Sequence, residues 1–133
     1  MNLHEAGFLA FIEEPQRRRF RTLFELGEKR RRDIVSMLDH KIHLDRRYCS
    51  PIPGGQLFAD AVESRLLKLG APATCFVVGG GELDGGEFIL KSALLNIIGF
   101  EDGAFVSCIP GRLGYFQHEG SNDAYLCHRP NPR

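Results

Sequence analysis

Between Ala104 and His128 the chain carries three short runs rich in aromatic and β-branched residues, Ala104–Ile109, Arg112–His118 and Ala124–His128. Pro110-Gly111 separates the first two and the polar stretch Glu119–Asp123 the last two. Such runs between turn residues read as strands, and Pro followed by Gly is type II turn chemistry. Strands joined by short turns pair antiparallel. Closing Pro110-Gly111 as a two-residue hairpin sets Ile109 opposite Arg112, Cys108 opposite Leu113, Ser107 opposite Gly114, Val106 opposite Tyr115 and Phe105 opposite Phe116. Pairing His118 with Ala124 then sets Phe116 beside Leu126 and Tyr115 beside Cys127. One face would show Val106, Cys108, Leu113, Tyr115 and Cys127. The other would show Phe105, Ile109, Phe116 and Leu126, with Ser107, Gly114 and His128 in a row. A sheet with one solvated face alternates apolar and polar residues. This one does not, so each face needs a cover: the chain's own helices, a second subunit or a ligand.

The upstream sequence offers helices. Leu3, Phe8, Leu9, Phe11 and Ile12 give a short helix over 3–14, and Pro15 is placed to open another, since proline is tolerated in a first helical turn. From Phe20 onward, Leu23, Phe24, Ile34, Val35, Leu38 and Ile42 recur at helical steps. Arg31 falls on that apolar stripe and Gly27 weakens its middle. The segment 16–40 is therefore one bent helix or two helices broken near Gly27. Prolines and glycines make 41–55 a loop. Leu57, Phe58, Ala61, Val62, Leu66 and Leu69 mark a helix over 55–69, closed by Gly70 and Pro72. Thr74–Val78 reads as a strand, the glycines at 79–81 and 85–86 as a flexible connection, and Leu90, Leu94, Ile97 and Ile98 as a helix ended by Gly99. The fold class is α+β, a single domain over 1–133. A helical half, 1–70, of three or four helices packs on a small, mostly antiparallel sheet, and 71–133 supplies β-α-β-β-β, in the order α-α-α-β-α-β-β-β.

The chain has 133 residues, 43% apolar and 26% charged, a balance that fits one globular domain. No apolar run approaches the roughly 20 residues of a transmembrane helix, and the acidic N-terminal stretch does not read as a targeting peptide. A cytoplasmic, bacterial-type protein is the expectation. Cys75, Cys108 and Cys127 sit inside apolar runs, and neither they nor Cys49 forms a C-x-x-C, which removes thioredoxin-type and zinc-ribbon chemistry. Reduced thiols packed in a core are expected.

The net charge is zero but unevenly spread. Residues 15–50 hold eleven Lys/Arg against five Asp/Glu, while both flanks are acidic. On a continuous helix, positions 17, 21, 28 and 32 share one side, and three of them are arginine. Arg17, Arg18, Arg21 and Arg32 are thus candidates for an acidic partner, because guanidinium pairs bidentately with carboxylate and phosphate. A solvated helix face offset by Glu25, Glu28 and Asp33 accounts for the same charges.

Other clusters carry weaker chemistry. Asp39, His40, His43, Asp45 and Cys49 are all zinc-ligand types, but their intervals match no metal motif. Ser107 and His128 share the proposed sheet row, yet two strand spacings separate them by about 9–10 Å, and no G-x-S-x-G surrounds the serine. The glycines after Val78 form neither a dinucleotide fingerprint nor a P-loop.

The leading expectation is a non-catalytic interaction or regulatory protein. Its arginine-rich helix meets an acidic partner, and an apolar sheet face self-associates into a homo-oligomer, with no membrane contact and no cofactor. One alternative is a small enzyme or ligand-binding domain whose pocket, between helix 55–69 and the sheet, gathers Ser107, Cys108, His118 and His128. A second is nucleic-acid binding through the basic helix, which would weaken steeply with salt.

Overall fold

In the computed structural model, residues 1–120 and 123–130 are described. Among these lie five α-helices, α1 Leu3–Leu9, α2 Gln16–Leu26, α3 Arg31–Leu38, α4 Ala59–Lys68 and α5 Leu90–Ile97. Six strands, β1 Cys49–Pro51, β2 Thr74–Gly79, β3 Glu87–Ile89, β4 Ala104–Ile109, β5 Leu113–Gln117 and β6 Ala124–His128, form one antiparallel sheet in the order β1-β6-β5-β4-β2-β3. The α+β class and the helix-then-sheet order agree with the sequence reading. The sheet has two short outer strands, β1 and β3, that the sequence reading leaves inside connections. Each pairs over three residues with one neighbour, so neither has the length to show an alternating pattern.

The helices begin and end for local reasons. Asn2 caps α1: its side chain accepts from the Glu5 amide at 2.8 Å, while the Glu5 carboxylate accepts from the Asn2 amide at 2.9 Å. The helix stops at Leu9 rather than running to residue 14. Phe11 and Ile12 are still buried, but through an extended link in which Asp45 N–H donates to the Phe11 carbonyl and Ile12 bridges Leu44. Gly27, at φ +84°, settles the next ambiguity in favour of two helices: α2 ends there, and a single 3-10 turn leads into α3. An L-residue with a side chain rarely adopts that conformation.

Both sheet faces are covered by the chain itself. On one, Phe8, Phe20, Phe24, Ile34 and Leu38 from α1–α3 pack against Phe76, Val78, Phe105 and Phe116. Phe8 is central, 4.7 Å from the Phe105 ring and 5.3 Å from Phe20. On the other face, Val62 and Leu66 of α4 and Leu90, Leu94 and Ile97 of α5 pack against Val77, Val106, Tyr115 and Leu126. Each such side chain contributes about 1.5–3 kcal/mol on burial, so two opposed layers of them dominate the stability. Helices α1–α3 thus lie over one apolar sheet face and α4 and α5 over the other.

The register departs from the expected one in two places. Phe105, Val106 and Ser107 face Phe116, Tyr115 and Gly114 as anticipated, but a bulge at Cys108 makes Ile109 pair with Leu113 rather than Arg112. In the second hairpin Gln117, not His118, pairs with Ala124, so Cys127 lies opposite Gly114 and His128 opposite Leu113. A one-residue slip exchanges faces. Leu126 consequently joins the α4–α5 layer, and Cys127 joins the α1–α3 layer with Tyr125. Of the polar turn expected at 119–123, positions 121 and 122 lie outside the described residues.

Candidate interaction surface and the buried polar sites

Helix α2 buries Phe20 and Phe24, one turn apart, and exposes most of its arginines. At about 100° per residue, Arg19 and Leu23 lie to one side of that buried pair, Arg17 and Arg21 to the other, and Arg18 and Thr22 along the back between them. Arg18, Arg19, Thr22 and Leu23 border a shallow groove with Pro15 and, from α3, Met37. Leu23 and Met37 are half-buried against the core and give the groove an apolar floor, while Arg18 and Arg19 stand exposed at its rim. Arg18 is 3.4 Å from Glu14, a solvated pair that holds it only weakly. Glu14 is shared with Arg17, also at 3.4 Å.

The four proposed partner-binding arginines therefore do not form one stripe. The break at Gly27 puts Arg32 on a separate helix, where it is exposed. Arg17 and Arg21 face away from the groove. Arg18 lines it, joined by Arg19, which the continuous-helix projection passed over.

Arg31, on the expected apolar stripe, is internal. Its Nε and Nη2 donate to Asp84 at 2.6 and 2.9 Å, and its Nη1 to Glu5. Asp84 also accepts from the Gly79 amide at 2.7 Å. Burial opposes the Arg31 charge, but the two carboxylates overcome it and raise its pKa. The guanidinium also lies 5.6 Å from the centre of the Phe24 ring. The group links α1, α3 and the glycine-rich connection after β2. The connection's acidic residue is thus a structural anchor.

The proposed pocket of Ser107, Cys108, His118 and His128 is not assembled. Ser107 and Cys108 point to opposite faces of β4, and Ser107 faces α1 rather than α4. His118 follows the end of β5, whereas His128 pairs with Leu113 at the strand's start. Burial pushes the Cys108 thiol up to about 12, far from the thiolate a nucleophile needs. Burial is also the main cause lowering the His118 pKa, opposed by Asp123 and reinforced by Lys41 and Arg46. Its Nδ1 is buried without a hydrogen-bond partner among the described residues. The imidazole sits edge-on to both Phe116 and Tyr125.

Ser107 does meet a histidine, His4 of α1, whose Nδ1 lies 2.7 Å from its Oγ. Serine beside imidazole is the elementary nucleophile-and-base arrangement. Here, however, Ser107 is 1% exposed, and His4 covers it while stacking on Phe76 at 5.5 Å. Burial lowers the His4 pKa, with Glu87 opposing. The pair works as a polar clasp between α1 and the sheet. The residues lie 103 positions apart, so no local motif could reveal them.

Gln117 is another polar group buried inside the protein. Its amide nitrogen faces the carbonyls of Ile97, Phe100 and Asp102 at 3.0, 3.2 and 2.8 Å, and its oxygen accepts from Tyr115 Oη at 2.8 Å. The ligand-type cluster at 39–49 disperses. Asp45 is taken by Arg47, with 2.7 Å between Nη2 and Oδ2, and Cys49 is buried against the α1–α3 layer. Among the described residues no group of three or more His, Cys, Asp or Glu is placed to hold a metal ion, and no helix is long and apolar enough to cross a membrane. Comparison with known protein families, curated proteins and solved structures finds no match.

Proposed function

We propose that this chain is a binding module, and that its partner is a protein segment both acidic and amphipathic, seated in the groove between α2 and α3. The observation that carries this reading is the pairing of an apolar floor, Leu23 and Met37, with an arginine rim, Arg18 and Arg19. An amphipathic helix laid there would bury its apolar residues on the floor and set carboxylates against the guanidinium groups. A nucleic acid would use the charges but gain nothing from the floor, which favours a protein segment. The internal pairing of Arg31 removes it from this surface.

A direct test is fluorescence anisotropy with a labelled amphipathic peptide carrying glutamates beside one leucine stripe. Binding should weaken about tenfold or more in the R18E/R19E variant, roughly 1.4 kcal/mol, and also in Leu23→Ser. Arg21→Glu, on the opposite flank, should bind as the parent does. A single-stranded or duplex oligonucleotide that bound more tightly than the peptide, or equal peptide binding by R18E/R19E, would overturn the reading.

A further inference from the structure

The four cysteines are buried and free, but they are not scattered. Cys49 and Cys127 are register partners across β1 and β6. The flanking hydrogen bonds fix the kind of pair. His128 N–H donates to the Tyr48 carbonyl and Ile52 N–H to the Ala124 carbonyl, each at 2.8 Å. Antiparallel pairs alternate, so these bonds make 49/127 a non-hydrogen-bonded pair, in which side chains approach most closely. The Cα separation in such pairs is about 4.5 Å, within the roughly 4.4–6.8 Å that a disulfide spans. Both side chains lie in the α1–α3 layer, where the Cys49 thiol faces the Phe11 carbonyl at 3.9 Å.

We propose that Cys49 and Cys127 close into a cross-strand disulfide when the protein meets a peroxide oxidant. The bond clasps the edge strand β1, and with it the connection from α3 to α4, to β6. Cys49 is the entry point. It lies on a three-residue edge strand bonded on one side alone, and it is 3% exposed where Cys127 is 0%. On local opening of that edge, the Cys49 thiolate attacks one peroxide oxygen. The O–O bond breaks, the other oxygen leaves as water after taking a proton, and Cys49 becomes a sulfenic acid. The Cys127 sulfur then attacks the Cys49 sulfur, the S–O bond breaks and a second water leaves. The Cys127 proton leaves with that water, so the two thiols lose two protons and two electrons in all, and one peroxide becomes two waters.

A second pair provides the internal comparison. Continuing the β2–β4 register one step past Phe76 and Ser107 sets Cys75 opposite Cys108 on the other face. Both β2 and β4 have neighbours on each side. Cys75 and Cys108 are each 3% exposed, as Cys49 is, but neither strand can open from a free edge as β1 can, so the edge pair reacts first.

The test treats the folded full chain with hydrogen peroxide, blocks residual thiols and maps peptides by mass spectrometry. The expected product has lost about 2 Da and contains a peptide joining Cys49 to Cys127. It reverts with a reductant and still forms in the C75S/C108S variant. The tie closes a long loop and should raise Tm by about 10 °C. The variant keeps the experiment decisive if C49S or C127S folds poorly. Overturning results are a Cys75–Cys108 link formed first, sulfinic acid at Cys49 without a cross-link, or a link that appears in denaturant alone.

Discussion

Arg31 grips Asp84 with two parallel hydrogen bonds, Nε to Oδ2 at 2.6 Å and Nη2 to Oδ1 at 2.9 Å, across 53 residues of sequence. Both side chains are largely withdrawn from solvent, at 16% and 9% exposure. Removing the Asp84 charge leaves the largely buried Arg31 with the Glu5 carboxylate in place of two, and the lost compensation exceeds the net value of the pair. Asp84→Asn should therefore destabilise the fold by about 2–4 kcal/mol in urea unfolding. Adding Arg31→Met and Glu5→Gln to that variant should restore part of the loss, because the whole charged group is then removed together. A shift near zero for Asp84→Asn would mean the contact is solvated.

Gln117 holds the connection between α5 and β4 by its side-chain amide. Replacing it with Leu keeps the apolar bulk but strands carbonyls of that connection and the Tyr115 hydroxyl. An unsatisfied buried group costs about 1–3 kcal/mol. We expect Gln117→Leu to fall in that range and to speed amide hydrogen exchange over 98–103. Unchanged exchange there would show that the connection is held by other contacts.

Gly7 presses against the turn that joins β4 to β5. A Cβ at this position would overlap the backbone nitrogen of Gly111. Helix propensity alone favours Ala over Gly by about 1 kcal/mol, so the two effects have opposite signs. Backbone cannot yield as a flexible side chain does, and the clash should win. Gly7→Ala should lower stability by at least about 2 kcal/mol, read from the denaturation midpoint. A stabilised variant would show that α1 can move away from the turn at little cost.

Acid should weaken the fold through two histidines. Burial lowers the pKa of both His4 and His118 below the ordinary 6.5. The unfolded chain then binds protons more readily than the folded one. The associated stability is fully present above about pH 6.5 and is lost as pH falls through the interval down to the folded pKa values. Glu87 tempers the effect at His4, and Asp123 at His118, where Lys41 and Arg46 strengthen it. The urea midpoint should drop between about pH 7 and pH 5, and the drop should shrink in the H4Q/H118Q variant. An equal drop in that variant would assign the acid sensitivity to carboxylates.

Strong local signals were readable. β6 occupies Ala124–His128 in both accounts, and α5 needed no tertiary information beyond Leu90, Leu94 and Ile97. The end of α1 is not legible in the sequence, because burial of Phe11 and Ile12 by the 44–45 segment imitates helical periodicity. The slip in β6 came from the second turn. Its pairing depends on Gln117 staying in the ladder with its side chain turned inward to the 97–102 carbonyls, and no turn residue encodes that. Arg31 shows the same limit on the polar side. Its place on an apolar stripe is visible in the sequence, but its partners lie 26 and 53 positions away.

The order of residues by itself determined that Ala104–His128 must be a two-faced meander, because apolar side chains at both parities cannot be left in water. It also determined that helices stand ready upstream, and that Gly27 is where one of them can break. Tertiary structure alone decided which helices cover which face. It also decided which cysteines, carboxylates and imidazoles meet. Periodicity is a property of neighbours a few residues apart, whereas ion pairs, thiol contacts and register are fixed by chain segments that touch only after the whole core has closed.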